Sequence, residues 1–247
     1  MESRLIQKYK EYISFLRANE VALCRDDNWD MLFQVLKCLR LSEKYTLDDY
    51  RSKESTNNIL KLYARKANTD RPSEEEFQKV EPKRHSLIAL MDNTIIKKPI
   101  EKDVEEEHVN LPERVAPESV VTFDFAPEAI WEAYLLKTTD YYIGQRWHGF
   151  YHKMTIPANI EELMRFKPWR EIEIPGYWRF ITETEFDFDP KITINGDVAT
   201  IEHIGVFFLN RICKCRATLR YNREARIIEN YELDDTKLFE FSPSIKL

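Results

Sequence analysis

The feature that most constrains the fold is a two-residue alternation of side chains between residues 211 and 221. Apolar side chains occupy every second position, and polar or basic side chains lie between them. The apolar set is Cys213, Cys215, Ala217, Leu219 and Tyr221, and the polar set is Lys214, Arg216, Thr218 and Arg220. This period predicts a β-strand with one face on a core and the other against water or a partner.

The strand belongs to a longer antiparallel meander that we predict from Trp178 to Phe241. Asn195-Gly196 separates two β-branched runs, so we predict a two-residue hairpin in which both turn residues have positive φ. The segments predicted as extended are 171–174, 178–189, 191–194, 197–209, 211–221, 226–233 and 237–241. The meander is therefore the structural centre of the second half of the chain.

Residues 1–67 are predicted to form a helical region with three helices. The first is amphipathic, with apolar residues at helical spacing. The second begins near Asp27 or Asn28 and runs through Leu39, and the third runs from Thr46 toward Lys66. These helices would pack on one another or on a partner.

The remaining chain divides into a linker and a domain. Residues 68–117 contain five prolines and two runs of glutamate, which is typical of a charged, proline-rich linker or wrapping segment. Residues 118–247 are predicted to form an α+β domain, in which Pro127 begins a helix and Asn159 with Glu162 forms a capping box. The predicted class is α+β: a helical N-terminal region, a charged linker, and a curved, mainly antiparallel meander with one or two packed helices.

Composition argues against several classes of function. The net charge of −6 and the pI near 5.6 disfavour a cationic nucleic-acid binder. The five glycines form neither a GxGxxG nor a Walker arrangement, so no nucleotide cofactor is predicted. Without a signal peptide or a bilayer-length apolar run, we expect no membrane attachment, a cytoplasmic location and free cysteine thiols.

An aromatic and basic concentration between residues 141 and 180 is the first candidate binding region. Such side chains line ligand pockets and are enriched at protein-interface hot spots. The alternative is that the rings cover a core while the arginines extend from its rim. Together with the basic face of the alternating strand, the candidate binding residues are Arg146, Trp147, Tyr151, Trp169, Arg170, Trp178, Lys214, Arg216 and Arg220.

An acidic run is the candidate catalytic region. Glu183, Glu185, Asp187 and Asp189 recur at every second residue, so a straight strand would align their carboxylates on one face. Paired carboxylates serve metal-dependent nucleases and hydrolases, and Glu183, Glu185 and Asp187 are the candidates for that chemistry. The alternative is a solvated outer face that pairs with basic residues of the strand at 214–220.

Two further sets of residues contain metal-ligating side chains, and neither is predicted to bind metal. His148 and His152 lie four apart in a stretch that favours a strand, where they would be too distant for one ion. Cys213 and Cys215 share a strand face with His203 one strand earlier, but their alternation with apolar residues is typical of core cysteines.

The leading functional hypothesis is a non-catalytic interaction protein: an adaptor, an assembly subunit or a neutraliser of another protein. The absence of catalytic motifs, the charged linker and the division of charge along the meander motivate it. One alternative is a metal-dependent hydrolase or nuclease that uses residues 183–189. Another is a small-ligand binder with an aromatic pocket formed by residues 141–180.

Overall fold

The computed structural model describes residues 2–25, 28–52, 59–71, 116–139, 142, 154–166, 176–207 and 211–240. The helices are α1 (Arg4–Arg25), a 3-10 helix (Trp29–Gln34), a second 3-10 turn (Pro117–Ser119), α2 (Pro127–Lys137), α3 (Ile160–Met164) and α4 (Tyr177–Glu183). The strands are β1 (Arg40–Leu41), β2 (Tyr45–Ser52), β3 (Ile59–Lys66), β4 (Val121–Thr122), β5 (Met154–Thr155), β6 (Lys191–Asn195), β7 (Val198–Phe207), β8 (Arg211–Asn222) and β9 (Ile227–Glu240). The predicted α+β class is confirmed, with a helix at the N-terminus and antiparallel sheets.

The largest sheet is antiparallel and is built from the meander. Its order is β5–β7–β8–β9, and β6 also pairs with β7, beyond the end of the β5 ladder. Two smaller pairs, β1 with β4 and β2 with β3, are also antiparallel. The meander therefore positions one long central strand, β8, between β7 and β9.

One face of this sheet, which we call the inner face, lies on the main core. The predicted alternation of β8 is confirmed, because Cys213, Cys215, Ala217, Leu219 and Tyr221 are all buried. Their apolar cluster also includes side chains of α1, the β2–β3 hairpin and α2. Burial of this apolar surface is the main stabilising contribution, at about 25 cal/mol per Å².

Helix α2 is the central element of the core. As predicted, Pro127 occupies its first turn, where the missing N–H costs no intrahelical hydrogen bond. Residues 129–136 are all buried, so the helix is apolar around its whole circumference except at Glu132. Trp131 is fully buried and donates its indole N–H to the carbonyl of Leu5 on α1, at 2.8 Å. This contact ties α1 to α2.

The third predicted helix is wrong, because Tyr45–Ser52 and Ile59–Lys66 are strands that pair with each other as the β2–β3 hairpin. Asp48 and Asp49 are buried in β2, and these polar residues hide the period-two pattern that a strand would show. Asp48 pairs with Arg65 on β3 at 2.5 Å, and Asp49 accepts from the Trp29 indole at 3.2 Å. Long-range partners therefore stabilise a strand where local propensity favoured a helix.

The second predicted helix is shorter than expected. It is a 3-10 helix that ends at Gln34 rather than at Leu39. Asp30 in this segment accepts a hydrogen bond from the backbone N–H of Leu47 at 3.2 Å, which ties the short helix to β2. The backbone N–H of Cys38 donates to the Glu132 carboxylate at 2.6 Å, so the chain leaves the helix to contact α2.

Two details of the meander also differ from prediction. The two central residues of the β6–β7 turn are Gly196 and Asp197, since Asn195 pairs with Val198. Only Gly196 has positive φ, at +59°, so the prediction that both turn residues need positive φ is wrong. A positive φ at the first position alone is typical of a type II′ turn. The two last predicted segments, 226–233 and 237–241, form one strand, β9, through residue 240.

The predicted strand 178–189 is wrong at its beginning, which is helix α4. Tyr177 and Ile181 lie four residues apart on one helical face, and both are buried. Residues 185–188 are outside regular structure and lead to β6. The capping box before α3 is confirmed, since the Asn159 side chain accepts from the N–H of Glu162 at 2.9 Å.

Parts of the prediction lie outside the described residues: positions 72–115 of the linker, the segment 171–174, and His148 and His152. The division into residues 1–67, 68–117 and 118–247 stays a prediction. Within the described part of the chain, no helix is long and apolar enough to span a membrane.

Candidate protein-contact surface

The side of the β6–β9 sheet opposite the core, which we call the outer face, carries side chains in rows across four strands. The ladder register places Lys191, Glu202, Arg216 and Asp234 in one row. Charges of opposite sign alternate along this row. Each such cross-strand pair contributes roughly 0.2–1 kcal/mol.

The neighbouring rows are less charged. One contains Thr193, Thr200, Thr218 and Glu232, and the next contains Asn195, Val198, Arg220 and Asn230. Lys214 reaches diagonally to Glu202, with an N–O distance of 3.2 Å. Arg216 therefore lies between carboxylates of β7 and β9, and Lys214 has a carboxylate partner on β7, whereas the ladder neighbours of Arg220 are uncharged. The three basic side chains are exposed, and acidic neighbours partly neutralise Lys214 and Arg216.

One end of the outer face is covered by a second apolar cluster. Ile204 and Val206 of β7 and Ile212 of β8 are buried there, although they point away from the main core. They pack with Leu163 of α3 and with the buried face of α4. Helices α3 and α4 thus shield this end of the face, and the charged rows remain exposed at the other end.

Six aromatic side chains, which we call the aromatic cluster, lie on this second core: Tyr177, Trp178, Phe180, Phe186, Phe188 and Phe239. The ring centroids of Phe180 and Phe239 are 4.9 Å apart and stacked, and those of Phe180 and Phe186 are 5.5 Å apart in an edge arrangement. The ring centroids of Tyr177 and Phe239 are 5.6 Å apart. Such pairs contribute roughly 0.5–1.5 kcal/mol each beyond area burial.

Trp178 is the exposed member of the aromatic cluster. Its ring contacts Tyr177, at a centroid distance of 5.1 Å, and 45% of the residue is accessible to solvent. Ile160 and Met164 on α3 are also exposed apolar side chains. A large exposed ring supported by a buried aromatic base is a typical anchor of a protein interface.

The three candidate catalytic carboxylates do not share one face of a strand. Glu183 ends α4 and pairs with Arg179 at 2.9 Å, while Asp187 pairs with Lys191 at 2.5 Å. The hydrogen bond from Lys191 lowers the pKa of Asp187. Glu185, between them, is exposed. Among the described residues, no three His, Cys, Asp or Glu side chains are grouped to hold a metal ion.

Asp187 joins the aromatic cluster to the charged rows. It lies between Phe186 and Phe188, and its partner Lys191 is the first residue of the row that continues to Glu202. The two features therefore form one continuous surface of the molecule. We call it the contact surface, and it comprises the aromatic cluster, the Asp187–Lys191 pair and the exposed rows of the outer face.

His203 and the two cysteines of β8 lie on the opposite, inner face. His203 pairs across the ladder with Cys215, as expected from the sequence. Its Nδ1 lies 3.0 Å from the carbonyl of Ile204, which only accepts, so Nδ1 carries the proton. Nε2 then accepts from the Tyr134 hydroxyl at 2.5 Å. Both imidazole nitrogens are used within the protein, which identifies His203 as a core residue.

Burial controls the chemistry of this inner-face group. It lowers the pKa of His203 to about 4, so the imidazole is neutral at physiological pH. Burial also raises the pKa of the Cys215 thiol, which forms a hydrogen bond with Asp235 on β9. A Cβ at Gly205 would lie 2.6 Å from the Cys215 sulfur, so glycine is needed for this close approach. The cysteines are packing residues here.

A buried ionic group was not found by the sequence reasoning. Glu132 in α2 is fully buried; it pairs with Lys8 of α1 and accepts from the Cys38 backbone N–H. Although burial opposes it, Glu132 raises the pKa of Lys8. The only local signal was one charged residue in an otherwise apolar run. The arrangement ties three segments together, as expected for a structural ion pair.

Five of the predicted binding residues lie outside the described residues: Arg146, Trp147, Tyr151, Trp169 and Arg170. A cavity between α1 and β5, lined by Tyr9, Leu16, Tyr142 and Met154 among others, has a volume of about 10 Å³. That is space for one water molecule. It is too small for a metabolite.

Comparisons with protein-family models, with curated proteins and with solved structures found no match to this chain.

Proposed function

We propose that this chain is a non-catalytic interaction protein, such as an adaptor, an assembly subunit or a neutraliser, that binds another protein through the contact surface. The observation that carries the proposal is the exposed Trp178 ring on its aromatic base. The Asp187–Lys191 ion pair links the aromatic cluster to a row of alternating charge. Protein interfaces combine an aromatic centre with a polar rim in this way.

The charged rows would orient the partner more than hold it. Arg216 and Lys214 have carboxylates nearby in their own sheet, so they carry little net positive field. Exposed charges of this kind affect association rate and specificity. Trp178 would supply most of the binding energy. We place the interaction in the cytoplasm, with neither nucleic acid nor a membrane as the partner.

Geometry gives the hydrolase hypothesis no support, since Glu183 and Asp187 form separate, exposed ion pairs. The small-ligand hypothesis depends on residues 141–180, most of which lie outside the described residues. Protein binding is therefore the function that the described residues support best.

The test is affinity capture from native lysate with wild-type protein, Trp178→Ala and Ile194→Ala. Ile194 is an exposed apolar residue on the other side of the sheet, at 38% exposure, and serves as the matched control. We expect a partner that the wild type and Ile194→Ala retain and that Trp178→Ala loses by tenfold or more, about 1.4 kcal/mol. Equal retention by all three variants, or no retained protein, would contradict the proposal.

A further inference from the structure

Among the described residues, the stretch of β9 from Glu232 to Leu238 has a strand partner on one side only. It pairs with β8 along its length, and within the described part of the chain no strand pairs with its other side. Alternate residues of an edge strand direct their N–H and C=O groups outward, where another strand can bind them. The seven residues from Glu232 to Leu238 are all exposed, and they define what we call the β9 edge.

The core side chains that cover the inner face of the sheet do not extend over residues 233–235 of β9. Ala217 and Cys215 of β8 are buried, whereas their ladder partners on β9, Leu233 and Asp235, are exposed. Leu233 alone exposes 43% of its surface. One more strand beside β9 would extend the sheet and could place an apolar side chain against Leu233. This position indicates an apolar contact for an added strand.

The charge of the β9 edge distinguishes among possible occupants. Strand β9 contains five acidic residues and one lysine, and that lysine, Lys237, pairs with Glu240 at 2.5 Å. Glu232 and Asp234 point to the outer face, and Asp235 points to the inner face. A second copy of the chain would bring two strands with an excess of carboxylates side by side, which is destabilising. A strand that carries lysine or arginine would be complementary.

We propose that the β9 edge binds an extended, lysine- or arginine-bearing segment of another protein as an added antiparallel strand. Backbone hydrogen bonds supply affinity in this mode, and alternate side chains supply specificity. The bound segment places an apolar side chain opposite Leu233 and basic side chains opposite Glu232, Asp234 and Asp235. This site shares Glu232 and Asp234 with the charged rows of the contact surface, but it does not depend on Trp178.

The experiment uses the full chain and a peptide designed as the antiparallel complement of residues 238 to 232: fluorescein-labelled Val-Glu-Thr-Lys-Lys-Val-Lys-amide. Binding is followed by fluorescence anisotropy. Two further peptides carry N-methyl groups on the odd or on the even backbone nitrogens. We expect saturable binding of the parent peptide and a loss of about tenfold or more for one methylated peptide, since its ladder hydrogen bonds are blocked.

Matched charge changes test the side-chain contribution. Glu232→Lys is expected to weaken binding about two- to five-fold, as for one cross-strand ion pair. Glu224→Lys makes the same charge change in the β8–β9 turn, and it should leave binding unchanged. Trp178→Ala should also leave it unchanged, which separates this proposal from the proposed function.

Three results would overturn the proposal. The first is no binding of the parent peptide up to about 1 mM, which corresponds to about 4 kcal/mol. The second is equal binding of the parent and both methylated peptides, since that indicates ionic attraction without strand addition. The third is a dimer in sedimentation experiments that Leu233→Lys dissociates, because a second copy then occupies the edge.

Discussion

The two faces of strand β8 differ sharply in their surroundings although their residues alternate along one chain. On the inner face, Cys213 and Cys215 are buried under α1 and α2. On the outer face, Lys214 and Arg216 are exposed between the carboxylates of neighbouring strands. The backbone is shared, so the difference lies in what covers each face.

This difference indicates a division of roles. Polar groups of the inner face, such as His203, satisfy their hydrogen bonds within the protein, and removing a partner there leaves a buried group unpaired. Charges of the outer face exchange their partners with water at little cost. We therefore expect inner-face substitutions to change stability and outer-face substitutions to change association.

Two tryptophans give the largest expected contrast. Trp131→Ala, at a fully buried position, should lower the free energy of unfolding by about 3–5 kcal/mol, because it leaves a cavity in the main core. Trp178→Ala, at an exposed position, should lower it by less than about 1 kcal/mol. Urea unfolding followed by circular dichroism measures both. Similar losses for the two variants would remove the distinction between the faces.

Protonation of the buried His203 imidazole gives the next largest effect on the free energy of unfolding, and this effect depends on pH. The ordinary pKa of 6.5 applies to His203 in the unfolded chain, and burial lowers it to about 4 in the folded protein. Between these values the unfolded chain binds more protons, so stability falls as pH decreases through this window. At pH 4.5 we expect a loss of about 2–3 kcal/mol from this residue, measured by urea unfolding at pH 7 and 4.5.

His203→Gln is the control for that experiment, since glutamine does not titrate. The variant should be less stable at pH 7, and its stability should decrease less between pH 7 and 4.5 than that of the wild type. An identical pH dependence in both proteins would show that other groups produce the acid effect.

The smallest effect on stability is expected from a substitution on the outer face. Arg216→Glu places a third carboxylate between Glu202 and Asp234, and should cost about 0.5–1 kcal/mol of stability, less at high salt. Arg220→Glu is the matched control, because its ladder neighbours, Val198 and Asn230, are uncharged. Thermal unfolding at low and high NaCl measures both. A larger loss for Arg220→Glu would contradict the row of alternating charges.

Much of the meander could be predicted from the sequence. The alternation in β8 and the helix that begins at Pro127 depend on interactions between residues close in the chain. The Asn159 cap, too, is a local hydrogen bond. Trp178 was a predicted binding residue; the structure shows that it is exposed, and its role in binding stays a prediction.

Other elements could not be predicted, for a common reason. The β2–β3 hairpin buries Asp48 beside Arg65, and buried acidic residues interrupt the pattern that identifies a strand. Helix α4 begins after Gly176 and packs Tyr177 and Ile181 on the outer face, whereas the acidic alternation in the same segment favoured a strand. In both segments, contacts with distant residues outweighed the local pattern.

By itself the sequence determined which side chains of β8 face inward, because a strand's alternation is a property of local backbone geometry. Tertiary structure alone decided which other parts of the protein contact those faces. It placed His203 against Tyr134 and Glu132 against Lys8, and it covered one end of the outer face while leaving Trp178 exposed. Such pairings join residues far apart in the chain, and burial gives them their energy. The contact surface and the β9 edge therefore emerged only when the chain was folded.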